Sequence, residues 1–178
     1  MRKLQIGVIG SCSDLSYSIE AKKSAENLGK LIAQSGNILV FGAEKDIDSL
    51  PTIAAKYAKT TGGQTLAITY DKGLELFNEN TATSVVATGL VRGGGRELSL
   101  MLSCDAVISI SGGSGTLNEI CIAYQANIPV IMLAGFGGWS DRLANTYLDE
   151  RKRYRFLEAR TPNKALELAL QSARNKAL

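Results

Sequence analysis

Residues 106–119 read AVISISGGSGTLNE, and this stretch decides the fold class. The run 106–110 is almost wholly apolar, which is typical of a strand buried on both faces of a parallel sheet. Residues 111–116, SGGSGT, follow as a glycine-rich turn, which we call the glycine turn. A helical pattern then continues to about Ala126. Strand, turn and helix in this order predict an α/β fold.

The same alternation extends in both directions along the chain. Further apolar runs predict strands at residues 4–10, 38–42, 65–70, 84–88 and 129–133. Helices are predicted over residues 19–35, 50–61 and 96–103, and later over 141–150 and 163–176, with a short strand near 155–158. The right-handed crossover rule then gives a doubly wound, mainly parallel sheet with helices on both faces, a Rossmann-like fold.

Length and composition set limits on class and location. The 178 residues fit one domain, 1–178, and no apolar run approaches the roughly 20 residues that span a bilayer. The segment after Met1 is too short for a secretory signal, so no membrane partner is expected. Three widely spaced cysteines, Cys12, Cys104 and Cys121, are predicted to be buried thiols in a reducing compartment. We therefore expect a cytoplasmic protein.

The absence of histidine excludes whole classes of chemistry. Ser-His-Asp and Cys-His catalysis and almost all zinc enzyme sites require it, and no metal site is predicted. The net charge of +3 is too small to indicate a nucleic-acid partner. The basic cluster at residues 151–160 is most simply a solvated face, although its role stays open.

The glycine turn is the predicted ligand site, because ligands of such sheets bind beyond the carboxyl ends of the strands. Three glycines in four positions exceed what a tight turn requires, and they let a ligand approach the backbone. The helix start beyond them offers unpaired N–H groups and a partial positive charge. We expect a phosphate-bearing ligand, held by Gly112, Gly113, Ser114, Gly115 and Thr116. The common dinucleotide and P-loop fingerprints are absent.

Side chains from neighbouring loops complete the predicted site. Arg96 stands at a helix start, where the dipole gives a cation no advantage, so an anionic ligand supplies the reason. Glu119 has two interpretations that the sequence leaves about even. It closes a capping box with Thr116, or it is a carboxylate at the ligand that polarises water or holds a ribose hydroxyl. Gly10 and Ser11 are added from the first loop, whose serines are equally suited to capping the next helix.

The stretch Ser111 to Glu119 resembles the P-G-G-x-G-T-x-x-E motif of the LOG, or lysine decarboxylase-like, family. Arg96 also lies nine positions before Asp105, as in that family, and the resemblance covers most of the chain. It implies phosphate binding at the glycine turn and hydrolysis of the N-glycosidic bond of a nucleoside monophosphate, with Arg96 and Glu119 acting at that bond. It does not imply lysine decarboxylation, because nothing indicates a pyridoxal phosphate site.

Three departures from the family pattern favour binding over turnover. Ser111 replaces the motif proline, Glu97 stands where lysine is usual, and the loop 42–46 lacks a double glycine. The chain thus resembles a divergent branch that includes proteins similar to molybdenum cofactor carriers, which bind a phosphorylated pterin without turning it over. We predict a carrier or sensor of a nucleotide or other phosphorylated cofactor, such as a nucleoside monophosphate or phosphorylated pterin, with no further cofactor required.

Two alternatives and one expectation about assembly accompany this prediction. The first alternative is a LOG-type phosphoribohydrolase acting on nucleoside 5′-monophosphates. The second is DprA-like binding of single-stranded DNA, against which Glu119 and the weak net charge speak. Because similar proteins are commonly dimers or larger, we also expect a homo-oligomer.

Overall fold

A computed structural model describes residues 2–43, 48–73, 80–91 and 93–176. The strands are β1 (Gln5–Gly10), β2 (Ile38–Gly42), β3 (Gln64–Thr69), β4 (Ser84–Ala87), β5 (Ala106–Ile110), β6 (Val130–Leu133) and β7 (Leu157–Ala159). The helices are α1 (Ile19–Gln34), α2 (Leu50–Thr60), α3 (Arg96–Leu102), α4 (Ser114–Gln125), α5 (Gly138–Leu143) and α6 (Pro162–Lys176). A 3₁₀ turn covers Ser13–Leu15.

The seven strands form one sheet in the order β4-β3-β2-β1-β5-β6-β7, and all the described pairings are parallel. β5 and β6 are buried along their whole length, as their continuous apolar sequences predict. Helices α1, α2 and α6 cover one face, and α3, α4 and α5 cover the other. The predicted Rossmann-like α/β fold is confirmed.

Local signals account for the first two long helices. Ser18 accepts a hydrogen bond from the Ala21 amide at 3.1 Å and caps α1, while Ser49 caps α2 through the Thr52 amide at 3.2 Å. Gly29 lies where α1 crosses α2, and a Cβ at this position would overlap the Ala54 carbonyl oxygen. The two helices therefore pack backbone to backbone on one face of the sheet.

The segment after β6 departs from the sequence prediction. The helix predicted at 141–150 is instead the six-residue α5, which begins at Gly138 and ends at Leu143. The Asp141 carboxylate accepts hydrogen bonds from the amides of Gly135 (2.8 Å) and Phe136 (3.3 Å), which fixes the chain ahead of this early start. Asn145 then adopts a positive φ of 58°, which ends the helical path.

Two smaller predictions in this fold also need correction. The strand expected near 155–158 lies at Leu157–Ala159, because the Phe156 amide is engaged by the Thr146 carbonyl before pairing with β6 begins. Among the cysteines, Cys104 is buried, whereas Cys12 and Cys121 are partly exposed. No helix among the described residues has the length and apolar character needed to cross a membrane.

The strand order fixes where a crevice opens. The chain proceeds outward from β1 to β4 and then returns to place β5 on the other side of β1. Gly10 and Ile110 are register partners at the carboxyl ends of these two strands. The loops that leave them run to opposite faces of the sheet, which is the topological switch point where α/β proteins bind ligands.

Candidate functional site

A cleft of about 190 Å³ opens at this switch point. Its walls come from the first loop, the start of α3 and the start of α4. The lining residues are Gly10, Cys12, Asp14, Leu15, Arg96, Glu97, Gly113, Ser114, Gly115, Thr116 and Glu119. The structure thus brings both predicted catalytic residues to one cleft with most of the predicted binding residues.

Two residues of the predicted binding set lie behind the cleft rather than on it. The Gly112 amide donates a hydrogen bond to the Ser11 hydroxyl at 2.8 Å, and both residues are buried. That amide is therefore engaged inside the protein and does not face a ligand. Ser11 and Gly112 shape the glycine turn and, unlike the other five predicted binding residues, do not line the cleft.

The first turn of α4 presents amides to the cleft. The first hydrogen bond inside the helix runs from the Leu117 amide to the Gly113 carbonyl at 3.0 Å, and Gly113 at the N-cap has no side chain to cap the preceding amides. The proposed Thr116–Glu119 capping box is absent, because Thr116 is the third residue inside the helix rather than its N-cap. Glu119 instead lines the cleft.

The three glycines of the turn differ in how far the surrounding structure would tolerate a side chain. Gly112 has a positive φ of 104°, and a Cβ there would lie 2.5 Å from Thr116 Cγ2. A Cβ on Gly113 would lie 2.7 Å from the Leu15 side chain. A Cβ on Gly115, in contrast, would have no described heavy atom within 4 Å. Protein packing therefore does not require glycine at 115, a residue that lines the cleft.

Arg96 is held deep in the cleft wall, with only 5% of the residue exposed. Its guanidinium lies over the end of β2, where a Cβ on Gly42 would overlap Arg96 Nη1. Arg96 Nη2 also lies 3.5 Å from Glu97 Oε1. The side chain is thus pre-placed by packing on one side and by a buried carboxylate on the other.

Glu97, the residue that departs from the LOG pattern, stabilises the loop that precedes α3. Both of its carboxylate oxygens accept from the Gly93 amide, at 3.2 and 3.1 Å, so the side chain folds back on the loop before α3. It is 6% exposed and holds this loop next to Arg96. The reversed charge therefore moderates the field of Arg96 without removing the guanidinium from the cleft.

A smaller chamber of about 40 Å³ adjoins the cleft between the ends of β1 and β2. It shares Gly10, Cys12, Arg96 and Glu119 with the cleft, and Ser49 lies on its wall. A bound water molecule needs a cavity of about 10–15 Å³ and polar partners, so the chamber has room for ordered water. Glu119 stands at the junction of the two spaces.

Two weakly acidic side chains near the cleft, Cys104 and Tyr17, are kept neutral by their surroundings. Burial, together with the carboxylates of Asp105 and Glu119, raises the pKa of the Cys104 thiol far above its usual value. Burial and the neighbouring Asp48 carboxylate raise the pKa of the Tyr17 hydroxyl in the same way. Neither group is ionised near neutral pH, so neither supplies a nucleophile or base there.

Two other features singled out in the sequence lie away from the cleft. Asp105, the last residue of the family-like arginine spacing, joins the amino ends of β5 and β1 by accepting from the Gln5 amide at 2.8 Å. In the basic cluster, Arg153 donates to the Gln125 carbonyl at 3.2 Å and Arg155 to the Asn145 carbonyl at 2.6 Å. Both arginines thus lie at the surface and bind backbone carbonyls of neighbouring segments. Residues 44–46 of the loop after β2 lie outside the described residues.

Sequence reasoning missed three cleft residues of the first loop. Cys12, Asp14 and Leu15 line the cleft, yet the sequence predicts only a buried thiol at Cys12 and indicates no role for the other two. The available signal was their position directly after β1, since the loop after the first strand borders the switch point. Glu97 was recognised as a departure from the family, but not as a lining residue.

Comparisons with known proteins place this geometry in a family. Residues 3–166 match the model of the SLOG cluster4 family. A relative in Archaeoglobus fulgidus, described as an uncharacterized protein, is 38% identical over 127 residues, which are 70% of this chain and 76% of the relative.

Solved structures agree with this placement. The structural-genomics target TM1055 matches with a TM-score of 0.83 and 29% identity, over 96% of this chain and 99% of the other. The molybdenum cofactor binding protein of Rippkaea orientalis matches with a TM-score of 0.79 and 28% identity, over 96% and 98%. DNA processing protein A of Helicobacter pylori, at 13% identity, shares the fold alone. The resemblance to a divergent LOG-like branch is confirmed, and this chain belongs to the SLOG cluster4 family.

Proposed function

We propose that this protein binds a phosphorylated small molecule in the cleft and serves as its carrier or sensor. One observation carries the proposal. The uncapped start of α4, the open space at Gly115 and the buried guanidinium of Arg96 converge on the same cleft at the switch point. Backbone amides at a helix start and an arginine are the usual partners of a phosphate group.

The comparisons support a pterin-type cofactor as the first ligand to test. The Rippkaea orientalis protein is described as binding the molybdenum cofactor, and it aligns over nearly the whole chain. In this chain, Gly113, Gly115 and Thr116 would hold the phosphate of such a ligand with Arg96. Leu15, which is half exposed at the cleft, offers an apolar contact for a flat ring. Nucleoside monophosphates have the same phosphate and are the second class to test.

Hydrolysis of nucleoside monophosphates remains the alternative function, because of the position of Glu119. This carboxylate borders both the cleft and the chamber, so a water in the chamber would lie beside a bound ligand. A carboxylate in that position is suited to orient water against a sugar that gains positive charge. DprA-like DNA binding has no comparable support, since the likeness extends only to the fold.

A ligand panel separates the carrier from the hydrolase. Purified protein is titrated calorimetrically with nucleoside 5′-monophosphates and with a phosphorylated pterin, and released base is measured by chromatography. We expect binding without base release, and native mass spectrometry is expected to detect a retained ligand. Base release that disappears in Glu119→Gln would establish the hydrolase instead. Failure of every phosphate compound to bind at millimolar concentration would exclude both functions.

We further propose that the protein is a cytoplasmic homo-oligomer. Leu98 and Leu102, four residues apart on α3, are 48% and 59% exposed. Leu90 and Val91 lie against the loop that precedes this helix and are also exposed. An apolar surface of this kind supports burial against a second copy of the chain.

A further inference from the structure

Three buried serines join the glycine turn to the loops on either side of it. The Ser11 hydroxyl accepts from the Gly112 amide at 2.8 Å and donates to the Ser111 hydroxyl at 3.0 Å. The Ser140 hydroxyl and amide both donate to the Ser111 carbonyl, at 2.7 and 3.0 Å. Every member of this network is less than 10% exposed. The glycine turn is thus held from both sides by groups that do not touch the ligand cleft.

Ser111 holds a backbone conformation that the motif proline of the family cannot adopt. Its φ is +58°, in the left-handed region that non-glycine residues rarely occupy. The pyrrolidine ring of proline fixes φ near −65°, so a proline at this position would force a different turn. The substitution therefore marks a change in how the turn is built, and the serine hydroxyls supply the contacts that stabilise the changed path.

The network sets the positions of two cleft walls together. Ser11 is followed directly by Cys12, Asp14 and Leu15 of one wall, and Gly112 is followed by Gly113–Thr116 of the other. The Ser11 carbonyl also accepts from the Leu50 amide at 2.9 Å, which ties the first loop to the start of α2. A shift of the glycine turn would therefore move the first-loop wall relative to the amides of α4.

We propose that Ser11 and Ser111 are positioning residues, which lock the glycine turn so that the α4 amides are pre-organised for an oxyanion. The oxyanion ligand in this proposal rests on the proposed function. The fixing of the turn by Ser11 and Ser111, which we call the lock, does not depend on it. Ser11 occupies the Gly112 amide and directs the next amides toward the cleft. Pre-organisation of this kind raises affinity because the ligand does not have to order the turn.

Ser11→Ala tests the lock with two measurements. Inorganic phosphate and adenosine 5′-monophosphate are the probes, and we expect Kd to rise about tenfold because a buried donor loses its acceptor and the turn loosens. Hydrogen exchange of the Gly112 amide, followed by NMR, is expected to accelerate in the variant while the strand amides of β1 and β5 stay protected. A general loss of stability would not give this local pattern.

Ser35→Ala is the control, since Ser35 donates to the Ile32 carbonyl at 2.7 Å at the C-terminal end of α1 and does not line the cleft. It removes a serine hydroxyl that donates one hydrogen bond and accepts another, from Asn37 Nδ2 at 3.0 Å, and it should leave both Kd and Gly112 exchange unchanged. Unaltered Gly112 exchange in Ser11→Ala would overturn the lock. If the wild type binds neither probe while Gly112 exchange responds to Ser11→Ala, the ligand proposal fails and the lock stands.

Variants at Ser111 test the backbone part of the inference. Ser111→Gly keeps access to positive φ, so we expect it to fold and to weaken phosphate binding by only a few fold. Ser111→Pro removes access to this conformation and is expected to abolish binding or to prevent folding. A Ser111→Pro protein that folds and binds both probes with the wild-type Kd would overturn the proposal.

Discussion

At the scale of single residues, the three glycines of the glycine turn are not equivalent. Gly112 is required by its positive φ, whereas a Cβ on Gly113 would meet only the end of the half-exposed Leu15 side chain, which can move aside. Gly115 has no such constraint, because a Cβ there would meet no described heavy atom within 4 Å, and the residue lines the cleft. Of the three, Gly115 is the one whose absent side chain matters to a ligand rather than to the fold.

Gly115→Ala should therefore separate binding from stability. We expect the fold to be retained and the free energy of unfolding to rise by about 0.5–1 kcal/mol, since alanine is the better helix former. Affinity for a phosphate ligand should fall at least about tenfold, because the methyl group enters the cleft. Thermal unfolding and calorimetric titration measure the two effects. Asn118→Ala, an exposed position on the same helix, is the control, and unchanged affinity in Gly115→Ala would contradict the cleft assignment.

A second prediction at this scale concerns Arg96 and is tested through Gly42, which does not line the cleft. Gly42→Ala would place a methyl group where Arg96 Nη1 lies, so the guanidinium must move away from the cleft wall. We expect phosphate affinity to fall about tenfold, an effect comparable with the loss of one charge-assisted hydrogen bond. Calorimetric titration measures the loss. Arg96→Lys should show a similar loss, and wild-type affinity in both variants would argue against a ligand contact by Arg96.

At the scale of elements, α1 and α2 begin with a serine cap, whereas α3, α4 and α5 each begin at a glycine that offers no side-chain cap. A helix start without a cap is unfavourable unless water or a ligand satisfies its amides. At α4 the uncapped start also lines the cleft, and this combination supports the proposed binding of a phosphate there.

Ser18→Ala tests this division. Loss of the cap should lower the free energy of unfolding by about 1 kcal/mol. Ligand affinity should be unchanged, because Ser18 caps α1 and does not line the cleft. Denaturant unfolding and titration of the same preparation measure both quantities. A large loss of affinity in Ser18→Ala would show that the first loop depends on the α1 cap.

At the scale of the whole molecule, the strand order and the surface of α3 determine what a second copy could reach. α3 carries Arg96 on its buried side and Leu98 and Leu102 on its exposed side. A copy docked on these leucines would therefore lie next to the cleft. This arrangement gives the proposed oligomer a structural connection to the ligand site.

The double substitution Leu98→Glu with Leu102→Glu should convert the proposed oligomer to a monomer, because it places two charges in an apolar contact. Light scattering coupled to size-exclusion chromatography measures the mass. The circular dichroism spectrum should stay unchanged, since both side chains are exposed. A wild-type protein that is already monomeric at high concentration would contradict the oligomer proposal.

The succession of most strands and helices along the chain, the parallel sheet and a serine cap on the first helix could be predicted from the sequence. Each depends on apolar runs, glycines and hydroxyls within a few residues of one another, and such local interactions act the same way in most contexts. The anion site after β5 was predicted on the same basis. α5 was misplaced because its start depends on the turn held by Asp141 rather than on helical periodicity.

Only the tertiary structure decided which groups of the site face the cleft. The Gly112 amide is engaged by Ser11 from 101 residues away, and Arg96 is placed by Gly42 on another strand. No spacing along the chain encodes such contacts, because the order of strands in the sheet brings these residues together. The sequence alone therefore determined that a glycine-rich helix start follows β5, and the packing of distant loops determined which of its groups line the cleft.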